Sequence, residues 1–516
     1  MKYFTVNELC VSGSRPDLVE VPSKGSPIYN NLVYFIETFL DSVRQKLGRP
    51  IVVTSGYRPT ALNIAVGGSR TSNHCFDRNT EILTNNGWRT VQTISQKDKA
   101  YTYNIEKELI ELCDIDEIIK YDYDGNLIYA NNNHINFAVT DEHRMLVRTD
   151  KHLYKRKTDK VYSEKGREYF DSLKTENYKY HIELAKDIFK KRRFFKCAGF
   201  IDNKNTYDIN ILKLCMAVIA DGYIIKNKGV YQGVGFNLKK ERKMSALETI
   251  LNNCGYKYTK RYSNGHERRG CAGVYVYYLN STTARDVFDI IGFDKTIPKW
   301  FLTLNSDVLT QLVLTYAEFD GFFDNREGCS NLSISSNNES NIDKLQLMSV
   351  FSNMRCVKKK EKYRFTGYET SSKFIYNLYI TPNKNESKMS EQNYKTFYYK
   401  GVVWCIRTKN GTVITRRDGK ISFQGNCYGF AADCHTGNNS SDNLSIVAAA
   451  LETGLEFDEI IIEGAKFDAK GEIVSCKWVH LAKKRVNNRR KFLWTSDMKT
   501  YHSVNAKKET KYRFSR

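Results

Sequence analysis

Apolar residues recur at steps of three and four near the start of the chain: Leu32, Ile36, Phe39, Leu40, Val43 and Leu47. That spacing lines one face of a helix, and Pro27-Ile28 suits its opening. A β-rich run, Pro50-Ile51-Val52-Val53-Thr54, comes next and closes on Ser55-Gly56-Tyr57-Arg58-Pro59. The following segment ends at His74. Beyond Cys75 the pattern changes to short strands broken by Asn-Gly turns, as in 81–94, 98–104 and 136–150, and predicts a β-rich module to about position 196. Helical periodicity then alternates with strands from Asp208 to Gln392, and strand character returns from Thr396 to Asn426. After Cys427 the pattern predicts a helix over 443–454 and strands over 457–464 and 477–482.

The two ends fit each other better than either fits the middle. Deleting 75–426 joins His74 to Cys427 and puts His74 seven positions before Asp433, on either side of a tight Gly429 turn. A length of 516 residues suggests two to four domains. The net charge of +22 divides into +7 on the flanks and +15 on 75–426, in proportion to length, so charge alone does not say which part meets nucleic acid. Thirteen cysteines lie scattered without paired metal-type spacing, which favours a reduced cytoplasmic compartment at synthesis. The sequence has no apolar run of 18 or more residues and no signal-peptide pattern at its start, so no membrane span is expected.

Residues 75–426 resemble an intein that carries a LAGLIDADG homing endonuclease. The matching stretches are 75–91, the Thr140-x-x-His143 pattern within 139–147, and 400–427. The resemblance implies that Cys75 attacks the His74 carbonyl to give a thioester, since a thiolate is a good nucleophile near neutral pH. Thr140 and His143 would polarise that peptide bond and supply a proton. Cys427 would capture the acyl group, and Asn426 would cyclise to cut the insert free. The family usually has His before the terminal Asn, where this chain has Gly425. Cys405 is the candidate helper in its place.

Within the insert, 214–224 and 312–324 resemble the paired LAGLIDADG helices, each ending in Asp-Gly. Small residues Ala217, Ala220 and Ala317 would let the helices pack closely and bring Asp221 and Asp320 together. Two adjacent carboxylates bind a divalent cation, here magnesium, for cleavage of double-stranded DNA. Lys295 would add a charge near the scissile phosphate.

The flanks resemble the zinc D-alanyl-D-alanine carboxypeptidases and related phage endolysins, on the stretches 55–68, 72–74 with 427–433, and 477–482. The resemblance implies zinc on His74, Asp433 and His480 with a fourth position for water. Arg58 would steady the substrate carbonyl or the oxyanion, and Glu463 would be the general base, with Glu472 as its rival. The substrate implied is a peptidoglycan stem peptide, in the cell wall or periplasm. A non-catalytic binding module on the same fold is the alternative. His435 and His502 have no partner pattern.

These readings predict a multidomain, monomeric α+β protein. Residues 1–74 and 427–516 would form a split α+β zinc peptidase, and 75–200 with 393–426 a β-rich hedgehog/intein splicing domain. Residues 201–392 would form an αββαββα-type endonuclease.

Overall fold

The computed structural model describes residues 1–59, 62, 65, 75–149, 179–204, 207–227, 230–264, 273–324, 326, 331–362, 374–426, 430–437, 440–483, 490–497 and 502–503. It is a mixed α+β protein, mostly sheet, whose buried apolar side chains fall into three clusters.

Among the described residues, one cluster draws only on the two ends of the chain, residues 4–57 and 432–494. Its helical layer starts at Pro27, where Ser26 caps the first turn by accepting from the Tyr29 amide at 3.2 Å. The helix continues through a π turn at Ile36–Leu40 and ends at Leu47, where Gly48 takes a left-handed conformation. The spacing predicted one regular helix. Ile36, Phe39 and Leu40 are all buried within the π turn. This layer and helix Leu444–Glu452 cover one face of a six-stranded sheet. The strand order is Val52–Ser55, Phe430–His435, Trp478–Lys483, Glu459–Glu463, Lys491–Thr495 and His502–Ser503. The N-terminal edge strand thus pairs with a strand nearly four hundred positions away. Alternation sorts the faces: Ala432, Cys434, Val479, Leu481, Ile460 and Ile462 point into the core.

The second cluster lies wholly within 75–413 and contains Cys75, Phe76, Trp404 and Cys405. A strand of 23 residues, Leu109–Asn131, runs beside Tyr394–Thr408 as a long ribbon. The sequence pattern led us to expect only short strands here. Gly125 pairs with Tyr399 inside the ladder rather than turning the chain, because the partner strand offers continuous pairing on both sides of it. The ribbon also touches the flanking unit, where Asn31 Nδ2 donates to Asp116 Oδ2 at 3.4 Å.

The third and largest cluster is centred on 212–380 and also takes in Leu83, Tyr101, Tyr103, Ile414 and Phe423. Its elements run helix, two strands, helix, two strands, helix from Ile209 to Ile291. Helix Ser306–Asp320 then begins a second, similar series. Arg416 ties the second and third clusters together. It is buried, and its guanidinium reaches Glu81 at 2.6 Å and Asp343 at 2.6 Å. Among the described residues no helix is long and apolar enough to cross a membrane.

Candidate functional site

The open face of the flank sheet collects polar side chains by register. Asp433 stands directly opposite His480, Ser55 opposite Asp433, and Glu463 opposite Trp478. Opposed residues of a ladder share a face, as do residues two apart on one strand. Asp433 Oδ1 lies 2.8 Å from His480 Nδ1, and Arg58 Nη2 lies 3.6 Å from Asp433 Oδ2. Arg58 is held by donating from Nε to Ser55 Oγ at 2.7 Å. Its loop is pinned where the Tyr57 amide donates to Leu9 O at 2.7 Å.

Burial opposes protonation of His480. The Asp433 hydrogen bond and charge, with Glu463 and Glu459, outweigh it and raise the imidazole pKa. Glu463 is pushed up by burial, against a hydrogen bond from Trp478 Nε1 to its Oε2 at 2.5 Å and the charges of His480 and Arg58. Glu472 sits apart, beside the separate hairpin Lys466–Phe467 and Ile473–Ser475, where its amide donates to Asp468 Oδ1 at 2.9 Å.

A second constellation surrounds Cys75 and Asn426, both fully buried. The Cys75 amide donates to Thr140 Oγ1 at 3.0 Å, and the Thr140 amide returns a bond to Cys75 O at 3.0 Å. The His143 amide donates to Thr140 O at 3.1 Å, and its buried ring packs on Phe76 with centroids 4.4 Å apart. This places Thr140 and His143 beside Cys75 through one tight turn after strand Asn136–Val139. The buried Cys405 thiol donates to Ile406 O at 3.4 Å.

At the other end, the Asn426 amide donates to Gly411 O at 3.1 Å. Its side-chain Nδ2 donates to Thr408 Oγ1 at 2.9 Å and to Thr412 O at 3.3 Å. Arg144 Nη1 donates to Asn426 O at 2.9 Å. Gly425 is forced by close approach. A Cβ there would stand 2.7 Å from both Arg144 Cβ and Arg144 O.

A third constellation lies where helices Ile209–Ala220 and Ser306–Asp320 end together. Asp221 caps the first and Asp320 closes the second. The glycine after each is also forced, since a Cβ at 222 or 321 would meet the backbone of the preceding turn below 3.0 Å. Asp320 keeps an open edge to solvent, yet desolvation of its carboxyl and the Asp221 charge raise its pKa to about 6. Lys295 Nζ donates to Gly222 O at 2.5 Å, and burial lowers its pKa against the pull of both aspartates. Its backbone is left-handed, with φ 55°, and is held by Asn341 Nδ2 donating to Lys295 O at 3.0 Å. Lys243 pairs with Asp221. A cavity of about 390 Å³ beside Asp320 is lined by Lys295, Tyr316 and Asn341.

The family model for Peptidase M15 matches residues 2–107. The match takes in Arg58 and runs past Cys75 into the first strands of the second cluster. A curated relative is the ribonucleoside-diphosphate reductase subunit beta of Aquifex aeolicus (strain VF5). It is 25% identical over 370 residues, which is 69% of this chain and 50% of that protein. The chain therefore spans half the length of that relative. Residues 1–74 and 427–516 total only 164, so most of the alignment falls within 75–426.

Among solved structures, a splice-inactive AceL NrdHF class 3 split intein is 12% identical, covering 26% of this chain and 68% of that one, with a TM-score of 0.18. I-DmoI in complex with DNA and Mn is 13% identical, covering 34% of this chain and 90% of that one, with a TM-score of 0.23. The N-terminal LAGLIDADG domain of DUF199/WhiA is 13% identical, covering 34% and 78%, with a TM-score of 0.22. These likenesses concern part of the fold and carry no argument about function.

Of the candidate residues, Asp433, His480, Arg58 and Glu463 converge on one face. Cys75, Thr140 and His143 form a second group, and Asp221, Asp320 and Lys295 a third. His74 and Cys427 lie outside the described residues. Among the described residues no group of three or more His, Cys, Asp or Glu side chains is arranged to hold a metal ion. Asp433 and His480 do supply one oxygen and one nitrogen donor at directly opposed register positions, which suits zinc in chemistry. Sequence reasoning missed Arg144, Thr408, Lys243 and Trp478. Each acts through a partner on another strand or helix, so no local spacing marks it.

Proposed function

We propose that the chain is a precursor that splices itself. Residues 75–426 leave, and His74 is joined to Cys427 to complete a zinc-dependent peptidoglycan peptidase. The observation that carries the reading is the division of the cores. Among the described residues, one cluster and one sheet draw on both ends of the chain and on nothing between, while Cys75 and Asn426 are built into the interior of what lies between.

The splicing chemistry follows from the contacts around Cys75. Thr140 holds the Cys75 backbone through two hydrogen bonds, which fixes the thiol-bearing residue at the bond it would attack. His143, packed against Phe76, would transfer the proton to the departing amide nitrogen.

In the ligated product, Asp433 and His480, with His74 as third donor, would hold zinc. The ion would lower the pKa of a bound water and polarise the scissile carbonyl. Arg58, anchored by Ser55, supports the developing oxyanion, and Glu463 takes the water's proton. Glu463 is preferred to Glu472 because it lies on the ladder beside His480 and feels the charges of His480, Asp433 and Arg58. Within the insert, Asp221 and Asp320 would share magnesium at the helix junction for site-specific cleavage of double-stranded DNA.

The test is intact mass spectrometry of the expressed chain beside a Cys75→Ala, Asn426→Ala double variant. An excised 352-residue species and a ligated 164-residue species are expected from the wild type alone. A single 516-residue species under all conditions would sink the reading.

A further inference from the structure

We propose that Arg144 and Thr408 drive the release at Asn426, taking the place of a histidine at position 425. The inference deepens the splicing reading and rests on it. In the release step Asn426 Nδ2 attacks the carbonyl carbon of the same residue. A carbon–nitrogen bond forms and closes a five-membered imide, and the bond from Asn426 C to the Cys427 nitrogen breaks. One proton leaves Nδ2 and one is gained by the Cys427 amine, so the step needs no other reactant.

Two demands follow. The Asn426 carbonyl oxygen gathers negative charge, and the weakly nucleophilic amide nitrogen must shed a proton. Arg144 meets the first. Its Nη1 is already 2.9 Å from that oxygen, in a buried setting where a charged donor acts strongly. A guanidinium stays charged at all working pH values, so it serves as a fixed oxyanion donor where an imidazole would have to titrate.

Thr408 meets the second. Asn426 Nδ2 donates to Thr408 Oγ1 at 2.9 Å and to Thr412 O at 3.3 Å. Thr408 Oγ1 in turn donates to Thr412 O at 3.1 Å, which turns its lone pairs toward the amide. Both bonds draw protons away from the attacking nitrogen. The other amide atom, Asn426 Oδ1, is buried and accepts no hydrogen bond among the described residues.

Gly425 completes the argument. With a Cβ at 425 standing 2.7 Å from Arg144 Cβ and O, a histidine there and the arginine in its present place exclude each other. The chain has taken the arginine arrangement.

The experiment uses the full chain and reads two events separately. Dithiothreitol cleavage at Cys75 reports the first step, and appearance of the free 75–426 insert by intact mass reports the last. Arg144→Gln is expected to slow release by on the order of 100-fold or more, the usual effect of losing an oxyanion donor, with thiolysis falling far less. Arg144→Lys should recover part of the rate. Thr408→Val should slow release on the order of 10-fold, and Thr408→Ser should restore it. Release by Arg144→Gln at the wild-type rate, with thiolysis intact, would overturn the proposal while the splicing reading stands. Equal loss of both events in Arg144→Gln and Arg144→Lys would mark Arg144 as structural and also overturn it. A wild-type chain that gives neither event removes the splicing reading itself.

Discussion

Placing a side chain at 425 tests the packing of Arg144 against Asn426. Gly425→Ala adds one methyl whose carbon would sit 2.7 Å from Arg144 Cβ and 2.7 Å from Arg144 O. Ordinary contact begins some tenths of an ångström further out, and one of the two obstacles is backbone fixed in the ladder with Leu184. Overpacking of this kind costs about 1–3 kcal/mol. Separating the two strands moves Arg144 and Asn426 O apart, so the cost falls on the bond at 2.9 Å. Expressed as a barrier, 1–3 kcal/mol corresponds to a slowing of roughly 5- to 150-fold. Gly425→His, which introduces the residue that inteins usually carry before the terminal Asn, has the same Cβ and should also be slower than wild type. The assay is the time course of Asn426 cleavage by intact mass, with thiolysis at Cys75 as the control for folding. Faster cleavage in Gly425→His, with thiolysis unchanged, would refute the packing argument.

Other outcomes follow from the remaining sites. Glu463→Gln in the ligated product should lower peptidoglycan hydrolysis by roughly 10²- to 10⁴-fold while bound zinc, read by elemental analysis, stays equimolar. Loss of zinc along with activity would mean Glu463 is structural. Asp320→Asn should abolish magnesium-dependent cleavage of a DNA target and leave the splicing masses unchanged. A raised carboxyl pKa means the ionised form is disfavoured in the fold, a penalty that grows as pH climbs from about 4 through about 6. Asp320→Asn should therefore melt no lower than wild type at pH 7, and relatively lower at pH 4; a large loss at pH 7 would contradict this. Glu183 runs the other way. Burial opposes its charge, but hydrogen bonds from His181 and Arg193 hold its pKa down to about 2. Its contribution is present above the unfolded pKa and is lost as pH falls toward 2. Glu183→Gln should cost about 1–3 kcal/mol in urea unfolding at pH 7 and much less at pH 2.5; an equal cost at both would refute the assignment.

Elements carried by their own periodicity were legible in the sequence. Helix Leu444–Glu452, the strands around Ile461 and Val479, and the two helices ending at Asp221 and Asp320 announce themselves by apolar spacing and terminal Asp-Gly. The long ribbon was not, because Asp124-Gly125-Asn126 reads locally as a turn and only its partner strand keeps it extended. The pairing of Asp433 with His480 was expected from the family resemblance of the C-terminal flank, and not from any local spacing. Trp478 facing Glu463 needs the register of two strands. Arg144 is the extreme case. It follows His143 without any pattern of its own, and its contact with Asn426 spans 282 positions. Local sequence holds no trace of such a pairing.

The sheet that takes Val52–Ser55 from one end of the chain and Phe430–His435 from the other has a consequence for chains that are cut. A nick at either junction severs a covalent path but leaves the shared ladder and the helices over it in place. The two pieces stay one particle, and their local concentration is set by that interface, not by dilution. An aborted reaction thus yields fragments that co-migrate in native separation and part only in denaturant. By the same logic, halves made as separate polypeptides are expected to find each other, and the flank fold could be assembled by complementation with no ligation at all.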